Sequence, residues 1–208
     1  MSLRSPRMGH FLLGLVTAFA GIVVTVTQAE VGLPHPLVEA AREQIGVTMT
    51  YDPGYATLDY PNGDIPRDRG VCTDVVIRAY RDAFQKDLQV ELHRDMRSNF
   101  ARYPKIWGLQ RPDRNIDHRR VPNLQRFFER QGAALGIPEN NTSYQPGDLV
   151  SCIVPPNLPH IMIVSDRTNA QGVPLVIHNI GSGTREEDRL EDFEITGHYR
   201  WPTSEPSQ

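Results

Sequence analysis

The stretch PHIMIVSDRTNAQGVPLVIHN, residues 159–179, decides the fold of this chain. Two runs rich in Val and Ile flank the polar segment Asp166–Gly172, which contains turn-forming residues, and this pattern is typical of a β-hairpin. If the hairpin is symmetric about Asn169, His160 lies directly opposite His178. Because side chains alternate along a strand, both imidazoles are then expected on one face of the sheet, with Cβ atoms about 4.5–5.5 Å apart.

Two histidines on an otherwise apolar strand pair have two explanations. Each can be a partly buried, hydrogen-bonded residue near the sheet end, or the two together can serve one functional site. The register of the hairpin decides between them, since a slip of one residue in the loop moves one histidine to the other face. The sequence alone is consistent with both explanations.

Helical periodicity precedes the strand patterns along the chain. Helices are predicted in 37–45, from Val71 onward and after Val121, and further strands in 149–154 and 198–201. Helices followed by an antiparallel sheet are typical of the α+β class, not of a doubly wound fold. We therefore expect N-terminal helices packed on a C-terminal antiparallel sheet, with a helical and loop insertion at residues 91–130.

The N-terminal segment has the layout of a secretory signal. Arg4 and Arg7 precede the apolar run Phe11–Val26, which ends in Thr27-Gln28-Ala29. A run of 16 residues is shorter than the roughly 20 that a membrane-spanning helix needs, although failed cleavage would leave a membrane anchor. We expect cleavage after Ala29, export to the periplasm, and a single domain over residues 30–208 that is monomeric and has no membrane contact after signal removal.

Charge argues against a nucleic-acid partner. The chain has 22 basic and 25 acidic residues, and the predicted signal carries two of the basic residues and none of the acidic ones. The exported domain would keep 20 basic against 25 acidic residues, a net charge of −5. Such a surface has no general attraction to nucleic acid or to anionic lipid.

The two cysteines, Cys72 and Cys152, allow three interpretations. Export permits a Cys72–Cys152 disulfide, in a domain that binds cell-wall fragments without cutting them. A zinc site formed by Cys72, His160 and His178, with His118 or Asp74, is a second interpretation, although no paired-ligand spacing is present and we expect no metal. The third is catalytic, because a helix N-terminus and a nearby imidazolium lower the pKa of a thiol.

In the catalytic interpretation Cys72 is the nucleophile and the start of its helix supplies N–H donors for an oxyanion. His160 acts as base and then as acid, and His178 orients its ring. A helix-leading cysteine, the strand-opening Pro146-Gly147-Asp148, a strand led by His160 and a polar residue on the next strand resemble the NlpC-type cell-wall peptidases of the papain-like superfamily.

That resemblance implies a papain-like core and a cysteine peptidase or amidase without a cofactor, which hydrolyses an amide bond in peptidoglycan stem peptides. It implies Tyr60, twelve residues before the cysteine, as a site tyrosine that assists the oxyanion. Asp74, His118 and Asn179 are expected on the substrate-binding side. Where the family usually has Asp-Cys-Ser-Gly, this chain has Val71-Cys72-Thr73-Asp74.

Four further segments resemble, more narrowly, an uncharacterised family of exported bacterial proteins of about this length, the YijF-like proteins. The segments are YPNGDIP (60–66), GVCTDVVIRAYR (70–81), NIDHRRVPNL (115–124) and VIHNIGSG (176–183). In the third segment, His118 either binds a substrate carboxylate together with Arg119 or Arg120, or belongs to a solvated loop with ordinary charges.

Overall fold

Four α-helices and eight strands form residues 35–201, the part of the chain that the computed structural model describes. The predicted signal, residues 1–29, lies outside the described residues. The helices are α1 (Pro36–Arg42), α2 (Cys72–Phe84), α3 (Leu88–Asn99) and α4 (Val121–Arg130). The strands are β1 (Thr50–Tyr51), β2 (Arg69–Gly70), β3 (Ala134–Leu135), β4 (Leu149–Val154), β5 (Leu158–Thr168), β6 (Pro174–Asn179), β7 (Thr184–Glu187) and β8 (Glu194–Tyr199).

Six of the strands form one antiparallel sheet in the order β3-β8-β4-β5-β6-β7. The short strands β1 and β2 pair with each other in parallel. Because all four helices precede this sheet in the chain, the α+β class predicted from the sequence is confirmed. None of the helices between residues 35 and 201 has the length and apolar character needed to span a bilayer.

The central strands of the sheet are buried on both faces. Toward the helices, β5 presents Ile161 and Ile163, which pack in one cluster with apolar residues of α1, α2 and α4. Toward the other side it presents Met162 and Val164, which form a second cluster with Leu190 and with residues of β4 and β6. Burial on both faces explains why the sequence of β5 is a continuous apolar run rather than an alternating one.

The hairpin formed by β5 and β6 has a register different from the symmetric one. Ile163 pairs with Ile177 and Val164 with Val176, and the register shifts between Val164 and Thr168 on the way to the turn. By extension of this register His178 faces Met162, and His160 is its diagonal neighbour. The prediction of direct opposition is therefore wrong, because the pairing of Thr168 with Pro174 centres the turn on Gln171 and not on Asn169, and the irregularity beyond it removes only half of this offset, which leaves a shift of two residues. Since a shift of two keeps the face, the two imidazoles still share one side of the sheet.

Candidate functional site

Cys72 is the first residue of α2 and is 4% exposed. It lines a cavity of about 420 Å³ together with Tyr51, Trp107 and Arg120. The parallel pair β1–β2 builds one wall, because Tyr51 is the partner of Gly70, two residues before the cysteine. The cysteine therefore lies at the start of a helix and at the inner wall of a pocket.

Asp74 holds the start of α2 in place. Its carboxylate accepts the backbone N–H of Val71 at 2.7 Å and two hydrogen bonds of 2.9 Å from the guanidinium of Arg119. Arg119 also donates to the carbonyl oxygens of Asp52 and Gly54. Because Asp74 is buried and its oxygens are engaged in this way, the structure gives it the role of orienting the helix start, not the expected one of binding substrate.

The thiol of Cys72 is protonated at neutral pH. Burial, together with the neighbouring carboxylate of Asp74, raises the pKa of Cys72 to about 12. The backbone N–H of Ile161, the residue that follows His160, favours the thiolate and lowers the pKa. A thiol in this state becomes a nucleophile only when a base removes its proton.

His160 and His178 form a hydrogen-bonded chain that ends at a carboxylate. Nε2 of His160 lies 2.8 Å from Nδ1 of His178, and Nε2 of His178 lies 3.1 Å from Oε2 of Glu187. A carboxylate only accepts hydrogen bonds, so Nε2–H of His178 donates to Glu187 and Nδ1 of His178 accepts from Nε2–H of His160. Nδ1 of His160 then carries a lone pair, and it has no hydrogen-bond partner among residues 35–201.

Both imidazoles are neutral near pH 7. Burial, together with His178 and Arg189, lowers the pKa of His160 to about 3. Burial also lowers the pKa of His178, while Glu187 counteracts this effect. The neutral state agrees with the assigned tautomers, in which His160 has one nitrogen available as a base.

The Cys72 thiol and the two imidazoles lie on opposite sides of β5. Ile161 lies in the helix-side cluster with Cys72, and His160, one residue earlier, points to the opposite side. No hydrogen bond joins the Cys72 thiol to either imidazole within the described residues. The structure thus brings the two histidines together and places the thiol beside the backbone next to them, where Leu158 and Pro159 line the cavity.

The tyrosine beside the cysteine is Tyr51 and not Tyr60. Tyr60 packs against the ring of His93, with centroids 5.4 Å apart, and under the guanidinium of Arg114. Tyr60 does not line the cavity of Cys72. Burial raises the pKa of Tyr51 to about 12, and both Cys72 and Asp74 add to this shift. The prediction from sequence spacing missed Tyr51 because it reaches the cysteine through strand pairing rather than through the nearby chain.

His118 and Asn179, which were also predicted to bind substrate, are buried in the fold. His118 is 2% exposed, and burial, aided by Arg119, lowers its pKa to about 3. Asn179 is fully buried and donates to the carbonyl of Gly70 at 2.9 Å, which ties β6 to the segment before Cys72. Neither side chain lines the cavity, whereas Arg119 and Arg120, which follow His118, both do.

Glu187 completes the histidine chain and was not predicted from the sequence. It lies in the sequence Thr-Arg-Glu-Glu of β7, which has no apolar alternation to predict a strand. Pairing of β7 with β6 places Arg185 opposite His178 and so brings Glu187 within reach of the imidazole. Only the strand order of the sheet reveals this contact.

The structure also bears on the two other interpretations of the cysteines. Cys72 and Cys152 are both free thiols. They pack in different apolar clusters on the two sides of the sheet, Cys72 with Ile161 and Cys152 with Met162, so a disulfide would have to reach across it. As for zinc, residues 35–201 contain no group of three or more His, Cys, Asp or Glu side chains placed to hold a metal ion.

Comparison with known proteins gives two matches. Residues 38–201 match the family described as "Domain of unknown function (DUF1287)". The chain is also 48% identical over 197 residues to a protein of Escherichia coli (strain K12) with the name "Uncharacterized protein YijF". That alignment covers 91% of this chain and 96% of the relative. The resemblance to the YijF-like family, stated from the four sequence segments, is thereby confirmed, and export stays a prediction.

Proposed function

The chain belongs to the DUF1287 family, and for this member we propose the function of an exported cysteine hydrolase that cleaves an amide bond in peptidoglycan stem peptides. The observation that carries the proposal is the hydrogen-bonded chain Glu187–His178–His160, which ends one residue before Ile161, whose backbone contacts the cysteine at the start of α2. A papain-like arrangement uses the same three roles of nucleophile, base and orienting residue.

The first half of the reaction transfers the acyl group to the enzyme. Nδ1 of His160 takes the proton of the Cys72 thiol, and the sulfur attacks the carbonyl carbon of the scissile amide. The oxygen of the tetrahedral intermediate becomes negatively charged and is stabilised by N–H groups at the start of α2. When the carbon–nitrogen bond breaks, His160 returns the proton to the leaving amine, and a thioester to Cys72 remains.

The second half releases the product. His160 takes a proton from water, the hydroxide attacks the thioester carbon, and the carbon–sulfur bond breaks. The product leaves as a carboxylic acid that ionises in water, and the cysteine sulfur recovers its proton from His160. His178 and Glu187 keep Nε2 of His160 protonated throughout, so that Nδ1 is always the nitrogen that exchanges the proton.

The resting state in this mechanism is a neutral pair. The pKa of the Cys72 thiol is raised to about 12 and that of His160 is lowered to about 3, so an ion pair does not form before substrate binds. Productive proton transfer requires the thiol and Nδ1 to come within about 2.6–3.2 Å, and such contacts are often longer in an unliganded enzyme. Because Cys72 and His160 lie on opposite sides of β5, this contact requires a rearrangement at the start of β5, and substrate binding in the cavity is the event that we expect to cause it.

Substrate and location follow from the sequence. The resemblance to NlpC-type peptidases supplies the peptidoglycan stem peptide as the substrate class, and it implies a papain-like core. The layout of residues 1–29 supports export to the periplasm. The net negative charge of the exported domain favours neither nucleic acid nor anionic membranes as partners, and we propose that it acts as a monomer.

Incubation of the purified exported domain with muropeptides tests the proposal directly. Native protein is expected to cleave, and Cys72→Ala and His160→Ala to lose cleavage while they keep the native circular-dichroism spectrum. Cys152→Ala is the matched control, because it removes the second free thiol, which does not line the cavity of Cys72, and it should retain activity. Cleavage that survives Cys72→Ala would exclude the mechanism.

A further inference from the structure

The cavity that contains Cys72 is lined by two arginines, and each of them forms an ion pair with a carboxylate outside the lining, Asp74 for Arg119 and Asp117 for Arg120. Arg119 and Arg120 are the only charged side chains among the described residues that line it. Two helices begin at its wall, since Cys72 is the first residue of α2 and Val121 the first of α4. A helix N-terminus carries about half a positive charge, so helices and side chains together favour an anionic ligand.

Arg120 is the arginine with donors left for a ligand. Arg119 directs its guanidinium to Asp74 and to two backbone carbonyls. Arg120 makes one hydrogen bond of 3.2 Å, from Nη1 to Asp117, within the described part of the chain. Its Nε–H and Nη2 donors are not used there, and its side chain is 18% exposed.

Trp107 fixes the orientation of Arg120. The guanidinium carbon lies 4.1 Å from the centroid of the indole ring, and both residues line the cavity. Stacking on an aromatic ring restricts the rotamers of an arginine, so less entropy is lost when it binds a carboxylate in a fork geometry. Arg120 is thus preorganised to bind an anion.

The rim of the cavity is apolar. Ile106 is 71% exposed and Leu158 is 60% exposed, although both are large aliphatic side chains. Both line the same cavity as Arg120 and Cys72. A pocket with apolar walls and a few convergent polar donors is typical of a site for a small organic ligand. The combination fits a peptide with a free carboxylate and an aliphatic portion.

We propose that Arg120 binds a free carboxylate of the substrate close to the amide bond presented to Cys72, so that the cavity selects anionic peptides. This inference rests on the proposed function for the role of Cys72. Binding of the carboxylate itself requires no cleavage, and it is therefore measurable in a protein without the nucleophile.

The test measures the affinity of two peptides for the Cys72→Ala protein by titration calorimetry. One is L-Ala-γ-D-Glu-L-Lys with both carboxyl groups free, and the other is the same peptide with both as carboxamides. We expect the free acid to bind about 10-fold more tightly, because a hydrogen bond to a charged group is the stronger kind. Arg120→Gln should abolish the difference, and Arg120→Lys should restore part of it. Arg126→Gln is the matched control, because Arg126 pairs with Glu129 elsewhere on α4.

Three results would overturn the inference: equal affinity for both peptides, a preference that survives Arg120→Gln, or no binding of either peptide. Thermal unfolding of each variant shows whether a loss of binding reflects a loss of structure. Cleavage assays on the native protein separate the two proposals. A carboxylate preference without cleavage contradicts the hydrolase and keeps the anion site, whereas cleavage of both peptides without preference contradicts only the anion site.

Discussion

Replacement of Glu187 by Gln tests the histidine chain most directly. Glutamine has nearly the same shape, and its amide oxygen still accepts Nε2–H of His178, so the tautomers are preserved while the negative charge is removed. The contact measures 3.1 Å between Nε2 and Oε2, and a hydrogen bond to a charged group contributes roughly 1.5–3 kcal/mol. His160 becomes positively charged when it takes a proton, and Glu187 stabilises that charge through His178. Loss of this stabilisation should lower kcat/KM for muropeptide cleavage about 10- to 150-fold.

The pH profile distinguishes this effect from a loss of structure. Glu187 raises the pKa of His178 against the lowering by burial, so the Gln variant should hold its imidazoles neutral down to a lower pH. The acidic limb of kcat/KM, on which the base becomes neutral as pH rises, should therefore move to lower pH. Glu191→Gln is the control, because Glu191 is exposed and accepts a hydrogen bond from Asn141, not from a histidine. An unchanged rate and an unmoved acidic limb in the Glu187 variant would refute the chain as a catalytic device.

Three other predictions concern the residues around the site. Arg119→Met leaves the buried Asp74 without its partner and should lower the free energy of unfolding in urea by about 3–5 kcal/mol; a loss below 1 kcal/mol would contradict the assigned role. Tyr51→Phe should reduce kcat, whereas Tyr60→Phe should not, and the reverse order would show that sequence spacing identified the right tyrosine. His118, with a pKa of about 3 when folded and about 6.5 when unfolded, should give stability that is complete above pH 6.5 and is lost as pH falls toward 3, at about 1.4 kcal/mol per pH unit. In the His118→Gln variant the free energy of unfolding should depend less on pH, because one fewer proton is taken up on unfolding. If urea titrations give the same pH dependence for both proteins, the prediction is wrong.

Local patterns in the sequence predicted α1, α2, α4 and the strands β4, β5 and β6, whereas the last strand was predicted at 198–201 and lies at Glu194–Tyr199. The strand β4 begins and ends where its apolar run does, and the start of α2 at Cys72 follows from the apolar stripe that begins at Val71. The shared face of His160 and His178 was also predictable, because alternation along a strand depends only on odd and even positions. Their exact register was not, since the irregularity between Val164 and Thr168 has no signal in the sequence.

Contacts between segments that are distant in the sequence were not predicted, and the reason is physical. The ion pair of Asp74 with Arg119 joins residues 45 positions apart, and the contact of His178 with Glu187 depends on the order of strands in the sheet. Tyr51 reaches Cys72 because two short strands pair across a long loop. Such contacts are decided by how elements pack and not by the preferences of the segments themselves, so a single sequence carries no local pattern for them.

The place of β7 in the sheet has a consequence for the site. This four-residue strand lies at one edge of the sheet and pairs only with β6 among residues 35–201, so Glu187 lies on an element that local unfolding can detach. Each fraying event would detach the carboxylate while both imidazoles stay in the core. The hydrogen-bonded chain would then break and form again each time the edge strand unfolds and refolds locally. A contact that stabilises β7 would therefore raise the fraction of molecules in which the chain is complete.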